Sequence, residues 1–235
     1  MTKLLSFPKY LLKLYSLKSE LERLMAASVV FSTIMLAVRI FYTGELTFIF
    51  LEWNLFLAFI PYFFTQWLGC RLAVIRNTLK FGTVFFLWLI FIPNSFYILT
   101  DLFHLQENNN APLWFDLLLL LSFAWNGLLA GILSVRRMEK IFHLKFPGKH
   151  ELVFLFPVMF LNALGIYIGR YLRYNSWDII TNPLSLMTDI FNLLSHPLAF
   201  KNAWGMILCY SVFITLVYKT VKKIRHSGGV MSYEL

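Results

Sequence analysis

Apolar residues run along this chain in blocks of about 20, the length an α-helix needs to cross about 30 Å of hydrocarbon. The blocks fall at about 24–42, 46–68, 81–100, 113–134, 151–172 and 203–221. Hydrocarbon offers the backbone no hydrogen-bond partner, so each block is expected to be a helix. The pattern predicts an all-α polytopic membrane helical bundle of about six transmembrane helices, in one unit over 24–221.

The breaks between blocks are short, with one exception. The connection over 174–202 contains NPLSLMTDIFNLLSHP, where Leu184, Met187, Ile190, Phe191 and Leu194 recur at helical spacing between two prolines. A short helix lying at the membrane interface is expected there, placed to cover whatever the spans enclose. Before the first block, residues 1–23 carry Lys3, Lys9, Lys13, Lys18 and Arg23 among Leu and Tyr, with Pro8 near a first helical turn. This reads as a basic amphipathic juxtamembrane helix lying on the membrane surface. Residues 222–235 read as a tail.

Composition agrees: 59% of the 235 residues are hydrophobic and 14% charged, which excludes an ordinary soluble domain. Charge then orients the bundle, because cytoplasmic loops collect Lys and Arg. The N-terminal segment, the second loop (Arg71, Arg76, Lys80), the fourth (Arg136, Arg137, Lys140, Lys145, Lys149) and the tail (Lys219, Lys222, Lys223, Arg225) hold 17 of the 21 basic residues. Alternate loops share one sign, so both termini are expected in the cytoplasm. The net charge of +9 is thereby a topology signal. Membrane lipids are the expected partners, and nucleic acid is not.

Arg39, Arg170, Arg173 and Lys201 fall on the opposite face, with Glu45, Glu52, Asp101, Glu107, Asp116, Asp178 and Asp189. Pairing with those acids is the simplest reason for arginines there. Within the stretch FIPNSFYILTDLFHL, residues 91–105, Asn94, Tyr97, Asp101 and His104 fall in an arc of about 80° if the whole stretch is α-helical. Lipid would penalise such a stripe, so it is expected to face the bundle interior or a wet cavity. The stretch GIYIGRYLRYNSWD, residues 165–178, places Gly165 and Gly169 on a close-packing face. Arg170 and Arg173 follow at the rim, then Asn175 and Asp178. Glu52, Asn54 and Asp116 are expected at the same depth.

Three chemistries fit this layer. Asp101 and His104, spaced i and i+3, could ligate a metal with Asp116 or Glu52 as a third ligand and a water in the open position. Arg170 and Arg173 could hold a phosphate on a lipid-linked substrate, with Asp101 or His104 as general acid or base. Or the arginines neutralise Asp101, Asp116, Glu52 and Asp178 in a network that fixes helix packing. Cys70 and Cys209 have no partner spacing, and the chain lacks GxSxG, HExxH, GxxxxGK[ST] and GxGxxG motifs. No cofactor is assigned.

WNLFLAFIP at 53–61, FIPNSFYILTDLFHL at 91–105 and GRYLRYNSWD at 169–178 together resemble the bacterial multi-pass membrane proteins of the domain of unknown function 1361 family. The resemblance covers about 45–220 and implies a bacterial plasma membrane. It picks out Asn94, Asp101, His104, Arg170, Arg173, Asn175, Trp177 and Asp178 as signature positions. It carries no activity. Two functions stay open: an integral membrane protein, such as a small transporter or envelope factor, whose outer polar layer binds a ligand or locks the bundle; or a membrane-embedded enzyme acting from outside on a lipid-linked or envelope substrate.

Overall fold

The computed structural model describes residues 7–105 and 110–230, with the side chains of 7–19, 180 and 225–230 left aside. Glu107, Asn108 and Asn109, and the tail beyond 230, lie outside the described residues. The chain is a helical membrane bundle, and no strand occurs among the described residues. Its elements are α1 Phe7–Thr43, α2 Phe50–Gly69, α3 Leu72–Arg76, α4 Thr78–Tyr97, a 3-10 segment Ile98–His104, α5 Leu113–Lys145, α6 Glu151–Tyr171, α7 Asp178–Thr181, α8 Pro183–Ser195 and α9 Lys201–Val230.

Local signals set several boundaries. Asn77 caps α4, its Oδ1 accepting from the Lys80 N–H at 3.0 Å. The His150 ring does the same for α6, accepting from the Leu152 N–H at 3.2 Å. Pro183 opens α8 where its missing N–H costs nothing. Gly44 and Gly148, at φ 72° and 82°, turn the chain after α1 and α5 in a conformation that side chains resist.

Five helices are long and apolar enough to cross a membrane: Glu20–Thr43, Thr78–His104 (α4 with its 3-10 extension), α5, α6 and Lys201–Ile224. The expected second span, α2, is a 20-residue helix outside this group of five, and it carries Glu52, Asn54, Thr65 and Gln66. It nevertheless runs between the same two polar layers as the others. At one end Asn54 meets Asp101, and at the other Gln66 donates to Glu22 at 3.4 Å.

Those layers group the loops as the charge pattern anticipated. In the lower layer Lys145 Nζ reaches the carbonyls of Ile75 and Arg76 at 2.9 and 3.2 Å, joining the two basic loops. In the upper layer Arg39 meets Asp116, and Arg170 meets Asp101. The basic N-terminal segment is helical from Phe7 and runs without a break into the first span, α1 ending at Thr43. The tail likewise continues α9 to Val230.

At the centre stands α4, packed by α2, α5 and α6. Small residues let the backbones approach: a Cβ on Gly165 would sit 2.6 Å from Pro93 Cγ, and one on Gly127 would overlap an Ile98 methyl. Trp88, fully buried, donates to Ser134 Oγ at 2.8 Å, and Ser134 donates to the Pro61 carbonyl at 2.8 Å. Every polar atom in that chain has a partner, as a hydrocarbon-surrounded core demands.

Candidate functional site

The upper layer contains two ion pairs of different construction. Arg39 at the end of α1 meets Asp116 in the first turn of α5, with Nε to Oδ1 at 2.8 Å and Nη2 to Oδ2 at 3.4 Å. Neither side chain has any exposed surface. The guanidinium stacks over Phe48 at 4.3 Å, and its Nη1 has no hydrogen-bond partner among the described residues.

Arg170, in the last turn of α6, reaches Asp101 at 3.5 Å and the Tyr97 hydroxyl at 3.4 Å, both long for hydrogen bonds. It stays 14% exposed, lying 5.3 Å over the Phe103 ring. Asp101 is held more tightly from α2, where Asn54 Nδ2 donates to its Oδ2 at 2.9 Å.

The candidate residues separate. Asn94 and Asp101 turn inward as expected, and Arg170 meets Asp101. His104 does not join them: it is exposed, with its ring 5.0 Å from Phe50. The helix changes at Ile98 from 3.6 to 3.0 residues per turn, so by His104 the phase has drifted about 140° from the α-helical projection.

Arg173 also stands apart. It is exposed and sits at φ 61°, the left-handed position where α6 ends, while the Tyr174 N–H turns back to the Ile168 carbonyl at 3.3 Å. Asp178 has no arginine partner among the described residues. It accepts from the Asn175 backbone N–H at 2.6 Å and from the Thr181 hydroxyl at 2.9 Å, which hold its carboxyl below the usual carboxylate range. Glu52 Oε1 is buried with no partner among the described residues, beside a groove between α1 and α2. Among the described residues no three His, Cys, Asp or Glu side chains come together in a group that could hold a metal ion, Asp101 and His104 included.

Between α2, α4 and α6 lies a cleft of about 430 Å³. Its upper end is lined by Asn54, Asn94, Tyr97, Asn175 and Ser176, and its lower end by Phe86, Leu89, Ile90, Leu161 and Leu164. Phe86 and Leu161 are 59% and 37% exposed, so the apolar end is not sealed inside the bundle. Asn94 donates to Ser176 Oγ at 2.9 Å, fastening the loop after α6 across the top. Tyr174 donates to Asp189 at 2.8 Å and ties that loop to α8.

The short helix expected between the two prolines is present as α8. Leu186 and Ile190 turn to the cleft and Leu193 to α9, whereas Leu184, Met187, Phe191 and Leu194 are exposed at 79, 68, 68 and 54%. An apolar stripe of that kind suits lipid.

A second charged cluster, in the lower layer, was not singled out from sequence. Glu139, 4% exposed, accepts from Tyr218 at 2.5 Å and from Lys222 at 2.9 Å, and Lys222 also reaches Glu151 at 2.9 Å. Tyr218 and Lys222 are one turn apart on α9, which is the signal that could have found it.

The fold and its cleft define a polytopic helical membrane protein. More narrowly, the family described as Protein of unknown function (DUF1361) matches residues 53–217, more than half of the chain, and this protein belongs to it. The match contains α4, α6 and α8, and therefore the whole cleft. No curated protein and no solved structure matches the chain.

Proposed function

We propose that this protein binds an amphipathic, membrane-borne molecule in the cleft between α2, α4 and α6, with its polar group at the extracytoplasmic face of a bacterial plasma membrane. The observation that carries the reading is the gradient along the cleft, from three amides, two phenols and a serine at the top to Phe, Leu and Ile below. Ligand sites are largely apolar with a few placed polar groups, and a cavity of about 430 Å³ falls in their size range. The exposed Phe86 and Leu161 give an acyl chain a route in from the bilayer.

Arg39–Asp116 serves packing in this account, and Arg170–Asp101 stiffens the wall beside the cleft. Binding is favoured over catalysis because His104, the natural acid or base, stands on Phe50 away from the cleft lining. The test is mass spectrometry of lipids retained by protein purified from membranes into detergent. Ile90→Trp, which fills the apolar end, should lower retained lipid at least tenfold at unchanged folding. Equal retention by both proteins rejects the reading.

A further inference from the structure

The cleft's polar end has a preferred hydrogen-bonding sense. Three asparagines line it, and in each one N–H of the amide donates to a group that can only accept. Asn54 Nδ2 donates to the Asp101 carboxylate at 2.9 Å, Asn94 Nδ2 to the Phe91 carbonyl at 3.0 Å, and Asn175 Nδ2 to the Asp178 carboxylate at 3.4 Å. These partners fix which end of each amide is nitrogen and which is oxygen.

The three Oδ1 atoms accept no hydrogen bond from any described residue. Those of Asn54 and Asn94 are not sealed in the protein, and Asn175 is exposed. A ligand entering here therefore meets three amide oxygens whose lone pairs require donors. A head group made only of acceptors, such as a bare phosphodiester or a choline phosphate, would leave them unpaired. That desolvation would oppose binding.

Donors come as hydroxyls or as an ammonium, and the charges choose between them. Among the described residues no charged side chain lines the cleft. The carboxylate beside it, Asp101, already serves Asn54 and Arg170. An ammonium would arrive near the Arg170 cation with no carboxylate in the lining to receive it, a costly placement in a desolvated site. A neutral hydroxyl-bearing head has no such cost. Ser176 and the Tyr97 phenol can in turn donate to its ring or hydroxyl oxygens, since each is bonded in the protein through its oxygen as acceptor. Trp53 lines the mouth, 6.4 Å from the Trp177 ring, and offers an apolar face to the C–H side of such a head.

We infer that the ligand of this cleft is a lipid with an uncharged, hydroxyl-rich head, chemically a glycolipid, read by the carbonyl oxygens of Asn54, Asn94 and Asn175. The inference rests on the cleft being a lipid site. Its test keeps the two claims apart. Full-length protein is placed in phosphatidylcholine nanodiscs doped equally with a monoglucosyl diacylglycerol and phosphatidylethanolamine of matched chains, and bound lipids are counted by native mass spectrometry.

The glucosyl lipid should be retained about tenfold over both phospholipids. Asn94→Leu and Asn175→Ala should each reduce that preference several-fold, as the loss of one neutral hydrogen bond would. Thermal unfolding confirms that each variant is folded; if Asn94→Leu is not, Asn175→Ala carries the test alone. Equal retention of all three head groups, or a preference for phosphatidylethanolamine, overturns the hydroxyl assignment and leaves the cleft reading standing, provided Ile90→Trp still abolishes retention. Retention that Ile90→Trp leaves unchanged overturns both.

Discussion

Two arginine–carboxylate pairs lie in the same polar layer, and they are built for different ends. Arg39–Asp116 is short, bidentate and without exposed surface, and it joins α1 to α5. Arg170–Asp101 is 3.5 Å long, keeps one side chain 14% exposed and stands beside a cavity. A desolvated pair repays its cost only when geometry is good and other polar atoms are satisfied. The first pair comes near that condition and acts as a staple. The second relaxes it, leaving an arginine that is positioned without being consumed.

The most damaging way to probe the contrast is Arg39→Met. It removes the guanidinium from the buried Asp116 carboxylate and should cost about 3–5 kcal/mol, read as loss of folded protein in denaturant titrations in detergent. Adding Asp116→Leu should restore most of it. A single variant as stable as wild type would sink the staple assignment.

Next in size comes Gly165→Ala, whose new Cβ would lie 2.6 Å from Pro93 beside the second pair. A loss of about 1–3 kcal/mol is expected from this overpacking. Gly205→Ala on α9 is the control, with nothing within 4 Å, and should change little. Arg170→Met should cost less than Arg39→Met, since the pair is 3.5 Å long and Asn54 continues to hold Asp101. A double-mutant cycle on the two pairs sharpens the point, with coupling several times larger for Arg39–Asp116. Equal couplings would erase the distinction.

Two smaller effects concern the loop above Arg170. Arg173→Gly removes a side chain from a left-handed position and should gain at most about 1 kcal/mol. Asp178 is depressed by the Asn175 N–H first and the Thr181 hydroxyl next. A carboxyl lowered on folding adds stability above its unfolded pKa and loses it as pH falls through the folded value. The loop should therefore hold at neutral pH and loosen only below about pH 4, the ordinary carboxylate value, as followed by Trp177 fluorescence. Asp178→Asn should abolish that step.

Much of this was legible from residue order. Period and length marked the spans, and the phase of Asn94, Tyr97 and Asp101 marked the polar wall. The Gly165 and Gly169 spacing marked a real close approach, to Pro93 and Tyr97. His104 was misplaced because a change of helix type leaves no compositional mark in ILTDLFH. Arg173 was misplaced because a helix ending in a non-glycine left-handed residue looks like one more helical turn. The Glu139 network went unread because its partners are 79 and 83 positions away. The cleft itself exists only where three helices and a loop meet, which no single stretch encodes.

The 3-10 segment after α4 has one more effect. Seven residues rise about 14 Å in that form and about 10.5 Å as α-helix, a gain of about 3.5 Å. Without inserting a residue, the central helix thereby becomes a longer strut than its residue count implies. Bilayers differ in thickness by only a few ångströms, and mismatch is charged per ångström. Ile98–His104 works as a shim: it carries the end of the central helix, and the chain that leaves it, farther along the bundle axis than an α-helix of the same residues would.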